Sequence, residues 1–297
     1  MKRIGIIGLG DMGIGLSRNL LKADFSLTGF DLREERLVML EELGGKRASS
    51  VADVGANSDT VFVMVLNGDQ AKQVVGGDGG LASAMAKGST IIVSATIEPS
   101  EVREVEALLD GTGINMIDTP VSGGKSGAEN GTLTMMAAAK KTVFDEQQDV
   151  LKAVGKDIFH VGDEIGMGQT VKASLQALIG STFTAIFESL VLGKKAGIPG
   201  KVLYEVFTSS GVRSPLLENC GKLILDREFQ DTGSHIGTMY KDLGISMNMA
   251  KQNGVAMFTT SAAHELFQSG ISLFPEEDNW SIVKLLEQIA GTEVTWD

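Results

Sequence analysis

Sulfur and histidine chemistry are nearly absent from this sequence. The single cysteine, Cys220, cannot close an internal disulfide, and neither a C-x-x-C pair nor grouped histidines offers the spacing of a metal site. No metal is expected, and His160, His235, His264 and Cys220 are read as structural, the thiol buried or partly buried. Positive charge is also short: 26 Lys and Arg against 38 Asp and Glu leave a net charge of −12. That balance argues against a polyanion-binding surface, and so against nucleic acid, while leaving room for a local cationic pocket that takes a small anion. Uninterrupted apolar runs are missing too. The longest apolar stretch, Leu175 to Leu192, is broken by Gln176, Ser181, Thr182, Thr184, Glu188 and Ser189, which suits a buried helix better than a membrane span. Met1-Lys2-Arg3 precedes an apolar run that Asp11 interrupts, with no small-residue cleavage site, so a cytoplasmic protein with no membrane partner is expected.

The chain has 297 residues, 43% of them hydrophobic, enough for two cores of ordinary size. Its few aromatics and 13 methionines are typical core filler. Short β-branched runs alternate with amphipathic helical stretches through the first half. Arg3–Gly8, Ser26–Asp31, Thr60–Leu66, Thr90–Ser94, Ile114–Asp118, Thr132–Ala138 and Asp157–Val161 read as strands. This rhythm predicts a doubly wound, mostly parallel sheet of the α/β class with helices on both faces, a Rossmann domain over 1–163. From Gly166 to Ala196 the helical periodicity outruns an ordinary globular helix and predicts a long linking helix. Beyond Pro199 the patterns are helical throughout, punctuated at Gly197-Ile198-Pro199, Ser209-Ser210-Gly211 and Asp231-Thr232-Gly233. An all-α C-terminal domain over 164–297 follows. The crevice between the two domains is the expected place for chemistry.

Gly8, Gly10 and Gly13 fit G-x-G-x-x-G directly after an apolar strand and open a helical stretch, Ile14–Lys22. The first glycine allows a tight turn, the second lets backbone N–H groups approach a pyrophosphate, and the third allows close packing of helix on strand. Gly8, Leu9, Gly10, Asp11, Met12 and Gly13 are therefore the candidate cofactor-binding turn. The charge of Asp11 would oppose a phosphate if aimed inward, so its side chain is expected to face solvent or cap the helix. A glycine turn can also join strand to helix with no ligand, and Asp31 decides between the readings. It ends the second strand about 20 residues on, where a carboxylate accepts the adenosine ribose hydroxyls and repels a 2′-phosphate. NAD is preferred over NADP, although the nearby Arg33 could instead be recruited to a phosphate.

Asp118-Thr119-Pro120-Val121-Ser122-Gly123-Gly124 follows a later strand, and its small residues present backbone N–H groups and a hydroxyl that can cradle a carboxylate. A plain turn is the alternative. Lys172 and Gln176, four residues apart on the long helix, project from one face and can act on the same small group, although a helical lysine is usually a solvated surface charge. Arg213, in a loop after Gly211, could meet a second polar or anionic end of a substrate, or could simply be exposed.

Four ordered segments now match a known family. The Gly8–Gly13 turn, Asp118–Gly124 with its continuation Gly127-Ala128-Glu129-Asn130-Gly131-Thr132-Leu133-Thr134, the segment Gly168-Gln169-Thr170-Val171-Lys172, and Lys241-Asp242-Leu243 resemble the signature regions of the β-hydroxyacid dehydrogenases. That group includes 3-hydroxyisobutyrate dehydrogenase and tartronate semialdehyde reductase and is related to 6-phosphogluconate dehydrogenase. The resemblance spans essentially the whole chain. It implies that Lys172 is the catalytic lysine, that Ser122, Gly123 and Gly124 hold the substrate carboxylate, that Met64, Asn67 and Thr96 line the nicotinamide end, and that Lys241 closes over cofactor and substrate. It also implies pairing of the helical domains into a homodimer or homotetramer.

Where the family usually has an asparagine, this chain has Gln176, longer by one methylene. That glutamine, with Gly162-Asp163-Glu164-Ile165-Gly166 and Val93-Ser94-Ala95-Thr96-Ile97, looks like the L-threonate dehydrogenase branch. Leu175 and the tryptophan-free Val212-Arg213-Ser214-Pro215 depart from it. The implied reaction is NAD-dependent oxidation of a three- or four-carbon hydroxy acid, or its reversal, with Lys172 as general acid/base and Gln176 orienting the hydroxyl. A non-catalytic dinucleotide-binding module and an imine reductase are the alternatives, and Lys172 speaks against both.

Overall fold

A computed structural model describes residues 2–297. They form two compact units, divided between Lys172 and Ala173. The division falls at Lys172/Ala173, inside the long helix, because the first residues of that helix pack with the sheet.

The first unit is built on a nine-stranded sheet: β1 (Arg3–Ile7), β2 (Ser26–Phe30), β3 (Lys46–Arg47), β4 (Thr60–Val63), β5 (Thr90–Val93), β6 (Asn115–Asp118), β7 (Val121–Ser122), β8 (Leu133–Ala138) and β9 (Gly155–Gly162). The order is β3-β2-β1-β4-β5-β6-β8-β7, with β9 paired to β8. From β3 to β6 all pairings are parallel. β8 runs antiparallel to β6 and β7, and β9 lies parallel to β8. Parallel strands covered on both faces are apolar throughout, and every residue of β4 and β5 is buried.

Alternate side chains supply two separate cores. Ile4, Ile6, Phe62, Ile92 and Ile117 pack under α1 (Asp11–Lys22) and α2 (Glu34–Glu42). Ile7, Val61, Val63, Ile91 and Val93 pack on the other face, beneath α3 (Val51–Ala56), α4 (Gly68–Gly76), α5 (Leu81–Ala84) and α6 (Pro99–Ala107). The period of two along each strand creates this division. β1 is flanked by β2 on one side and β4 on the other, so the strand order reverses there, and the carboxyl ends of β1 and β4 frame a topological switch point. The short α7 (Gly124–Asn130), α8 (Lys141–Glu146) and α9 (Gln148–Val154) complete the unit.

The predicted strands all form, each within a few residues of its expected limits. β3 and β7 have two residues each, too short to carry an alternation that a sequence reading could catch.

The predicted long helix is α10 (Met167–Lys195), 29 residues. It is long and apolar enough to cross a bilayer by length and composition. Yet Phe183, Ile186, Phe187, Leu190 and Val191, at helical spacing, are buried in the core of the second unit. That core also takes side chains from α12 (Pro215–Leu225), α13 (Ile236–Gln252), α14 (Phe258–Leu273) and α15 (Ile282–Ala290), while α11 (Gly200–Ser209) packs partly buried residues against it. Phe183 meets Trp280 edge-on at 5.4 Å. Cys220 is fully buried here, and burial pushes its thiol pKa up.

Candidate functional site

The glycine turn lies at the switch point, between β1 and α1. Gly8 has φ +91°, and a Cβ there would stand 2.2 Å from the Met64 carbonyl oxygen. A Cβ on Gly13 would stand 2.0 Å from the Gly8 carbonyl oxygen. Both glycines are demanded by the protein's own packing. Gly10 is different: its φ of −60° suits any residue, and a Cβ would meet only the Arg33 guanidinium at 4.0 Å. Among the described residues, nothing needs that position bare. Gly10 is also the N-cap of α1 and has no side chain to cap the first turn. A bare approach to an uncapped helix N-terminus fits a pyrophosphate, so these residues fit a dinucleotide.

Asp11 points away from that N-terminus into an ion pair with Arg36 at 3.1 Å, as expected of a carboxylate beside a phosphate turn. Asp31 Oδ2 accepts the Leu9 N–H at 2.7 Å, and Oδ1 accepts the Arg33 N–H at 2.9 Å. The Arg33 guanidinium closes on the same carboxylate, Nε to Oδ1, at 3.2 Å. Burial pushes the Asp31 carboxyl up, and the bonds from the Arg33 side chain and the Arg33 and Leu9 backbones more than offset it, holding its pKa below the ordinary value. Asp31 thus braces the turn as well as marking the end of β2, and Arg33 is engaged by it.

The ends of β4 and β5 carry the other residues implied for the nicotinamide end. Met64 is half-buried just after β4, and Asn67 is exposed and caps α4 by accepting the Gln70 N–H at 2.9 Å. Thr96 is half-buried in the loop after β5. After β6 the chain turns through Ser122, half-buried, and Gly123 and Gly124, both exposed. Their φ values of +130° and +59° reserve the turn for residues without a Cβ.

Two residues with no role in the sequence reading tie these strand ends to α10. Asp118, the last residue of β6, is fully buried. Its Oδ2 accepts the N–H groups of Gly166 at 3.0 Å and Gln169 at 3.2 Å, and its Oδ1 accepts Gln169 Nε2 at 2.8 Å. Its carboxylate therefore does for α10 what a capping side chain does, from another element. Gln169 Nε2 also donates to the Ala95 carbonyl at 3.0 Å, and its Oε1 accepts the Ile97 N–H at 3.1 Å. Burial raises Asp118 to about 6, against the lowering effect of the hydrogen bonds from Gln169 and from the Gly166 and Gly168 backbones. Lys172, one turn beyond Gln169, is 6% exposed. A solvated surface lysine is thereby ruled out at this position.

In the second unit Gln176 is buried and donates Nε2 to Asp242 Oδ2 at 2.6 Å. Lys241 Nζ lies 3.0 Å from Asp242 Oδ1. Ser246 Oγ donates to the carbonyls of Ala173 and Asp242 at 2.7 and 3.0 Å, fixing α13 against α10. Arg213 is exposed and paired with Glu218 at 2.7 Å, so an anionic group approaching it meets an ion pair already made. The histidines serve structure: His160 Nε2 bonds the Ala139 carbonyl at 2.8 Å, His235 Nδ1 accepts the Gly237 N–H at 3.0 Å, and His264 stacks on Tyr240 at 4.8 Å.

Comparison with known proteins matches two successive stretches of the chain. Residues 3–162 match the NAD binding domain of 6-phosphogluconate dehydrogenase, and residues 166–286 match the family described as NAD-binding of NADP-dependent 3-hydroxyisobutyrate dehydrogenase. The chain is 35% identical over 295 residues to the 2-(hydroxymethyl)glutarate dehydrogenase of Eubacterium barkeri, covering 99% of this chain and 97% of that one. It is 33% identical over 288 residues to the L-threonate dehydrogenase of Escherichia coli K12, covering 96% and 95%. Among solved structures, 3-hydroxyisobutyrate dehydrogenase from Salmonella typhimurium superposes with a TM-score of 0.87 at 32% identity, covering 96% of this chain and all of that one.

Proposed function

Since this chain belongs to the β-hydroxyacid dehydrogenases and is an NAD(P)-dependent hydroxyacid dehydrogenase, we propose that it oxidises a three- or four-carbon hydroxy acid with NAD, with Lys172 as general acid/base. The substrate would resemble 3-hydroxyisobutyrate or L-threonate, and the same site serves the reverse reduction. The burial of Lys172 carries this reading: at 6% exposure its side chain is withdrawn from solvent on the helical turn that follows Gln169, where an ordinary surface lysine would be solvated.

The dinucleotide, when bound, supplies the hydride acceptor. The chain supplies position and proton transfer. The Ser122–Gly124 turn holds the carboxylate and so presents one carbinol C–H. Lys172 Nζ hydrogen-bonds the hydroxyl and takes its proton as the carbonyl forms; in reverse, its ammonium donates to the developing alkoxide. Gln176, committed to Asp242 through its nitrogen, has its carbonyl oxygen as the end that can accept from a donor and hold it in line. Lys241 then covers the site. Asp31 favours NAD by repelling a 2′-phosphate.

NAD reduction by the purified protein, screened over L-threonate, D-glycerate, 3-hydroxyisobutyrate, 4-hydroxybutyrate and 2-(hydroxymethyl)glutarate, tests the reading. Turnover on one of the first four supports it. Turnover on 2-(hydroxymethyl)glutarate alone would replace the short substrate with a dicarboxylate, and no turnover on any would favour a non-catalytic dinucleotide-binding module.

A further inference from the structure

We propose that Asp118 and Gln169 are positioning residues: together they lock the amino end of α10, and with it Lys172, to the loop that carries Thr96. The inference rests on the lysine reading above, and it concerns two residues that touch neither substrate nor cofactor in that reading.

The geometry is a buried relay of hydrogen bonds. Gln169 uses both ends of its carboxamide across one loop residue, donating to the Ala95 carbonyl at 3.0 Å and accepting from the Ile97 N–H at 3.1 Å. Thr96 is held between those two bonds. The same Nε2 donates to Asp118 Oδ1 at 2.8 Å, while Asp118 Oδ2 takes the N–H groups of Gly166 and Gln169. Asp118 is 0% exposed and Gln169 1%, so water does not stand in for a lost partner, and removing one leaves the others unsatisfied.

Each residue also sits one short step from a group with a proposed role. Gln169 precedes Lys172 by one helical turn, and Asp118 precedes the Ser122–Gly124 turn by four residues. Gly168 makes the close approach possible: a Cβ there would stand 2.5 Å from the Met136 carbonyl and 2.7 Å from the Asp118 carbonyl. The amino end of α10 is therefore pressed against the end of β6 and against β8 at Met136, and the carboxylate of Asp118 fixes its rotation about the helix axis. A rotation error there moves a side chain one turn away by a distance that matters to proton transfer, since a misplacement of about 1 Å can cost about 100-fold in rate.

The test replaces Gln169 in the full-length protein with Leu, which keeps the bulk and removes the three side-chain hydrogen bonds while leaving the main-chain N–H bond to Asp118, and with Glu, which keeps the acceptor for the Ile97 N–H and loses the donors to Asp118 and to the Ala95 carbonyl. Amide hydrogen exchange, read with no substrate present, is expected to quicken at least about ten-fold over residues 94–98 and 166–172 and to stay at wild-type rates in β1 and β4. On the best substrate of the panel above, kcat is expected to fall at least about ten-fold, with KM and the Kd for NADH within about three-fold of wild type. Unchanged exchange in the two segments overturns the proposal whether or not a substrate has been found. So does exchange accelerated throughout the sheet, which would mark the pair as general supports of the fold. The lysine reading fails by a different result, retained turnover in Lys172→Ala, which the Gln169 variants leave untouched.

Discussion

Gln176 Nε2 donates to Asp242 Oδ2 at 2.6 Å, a bond between two side chains 66 residues apart and both buried. The carboxylate can only accept, so the amide nitrogen is the committed end of the glutamine. The side chain is one methylene longer than the asparagine that the family resemblance leads one to expect. Replacing it with Leu takes a donor from a buried carboxylate, which should cost about 1–3 kcal/mol of stability by urea denaturation. Gln176→Asn should keep more of the stability and lose the alignment, with kcat lowered about ten-fold or more on the best substrate. Wild-type kcat in both variants would remove Gln176 from the proposed machinery.

Gly10 and Gly13 separate ligand demands from packing demands. Gly10→Ala introduces a methyl group that meets only the tip of Arg33, at 4.0 Å, and should change stability by no more than about 0.5 kcal/mol. The same change should weaken NADH binding at least about ten-fold, by fluorescence titration. Gly13→Ala puts the methyl 2.0 Å from the Gly8 carbonyl oxygen and should destabilise the protein by about 1–3 kcal/mol. Equal destabilisation by the two substitutions would mean that Gly10 is there for packing after all.

The proposed preference for NAD turns on Asp31, whose carboxylate would repel a 2′-phosphate and which engages Arg33 at 3.2 Å. Asp31→Ser removes the repulsion and releases the guanidinium, so the ratio of kcat/KM for NAD to that for NADP should fall at least about ten-fold. A ratio unmoved by the substitution would place the discrimination elsewhere.

Asp118 makes stability depend on pH in a definite direction. Burial raises its carboxyl from 3.8 to about 6 in the folded protein. The folded state therefore holds the proton more tightly than the unfolded chain does. The stabilisation that comes with protonation is complete below about pH 4 and is lost as pH rises through about 6. The unfolding free energy of the wild type, less that of Asp118→Asn, should fall by about 2 kcal/mol between pH 4 and pH 7. A difference that stays constant across that range contradicts the burial of an ionising carboxyl at this position.

The sheet was legible in advance because parallel strands buried on both faces write themselves as apolar runs, as Thr60–Val63 and Thr90–Val93 do. The glycine turn was legible because Gly8 and Gly13 are fixed by packing that sequence spacing encodes. The polar network was not. Asp118 meets Gly166 and Gln169 across 48 and 51 residues, and Gln169 meets Ala95 and Ile97 across 74 and 72. No local periodicity records such pairings. A polar residue at the end of an apolar strand, as Asp118 is after Met116-Ile117, was the one available signal, and it points equally to a turn. Arg213 shows the opposite case: its type suggested an anion, and its pairing with Glu218 emerges only in three dimensions.

The central claim, that Lys172 moves the proton, is tested most directly by the turnover number of Lys172→Ala for NAD reduction on the best substrate, measured beside its Kd for NADH. Proton transfer through the lysine predicts a kcat lower by about 100- to 10,000-fold, with NADH bound as tightly as by the wild type. A kcat within a few-fold of wild type at undiminished NADH affinity would contradict it.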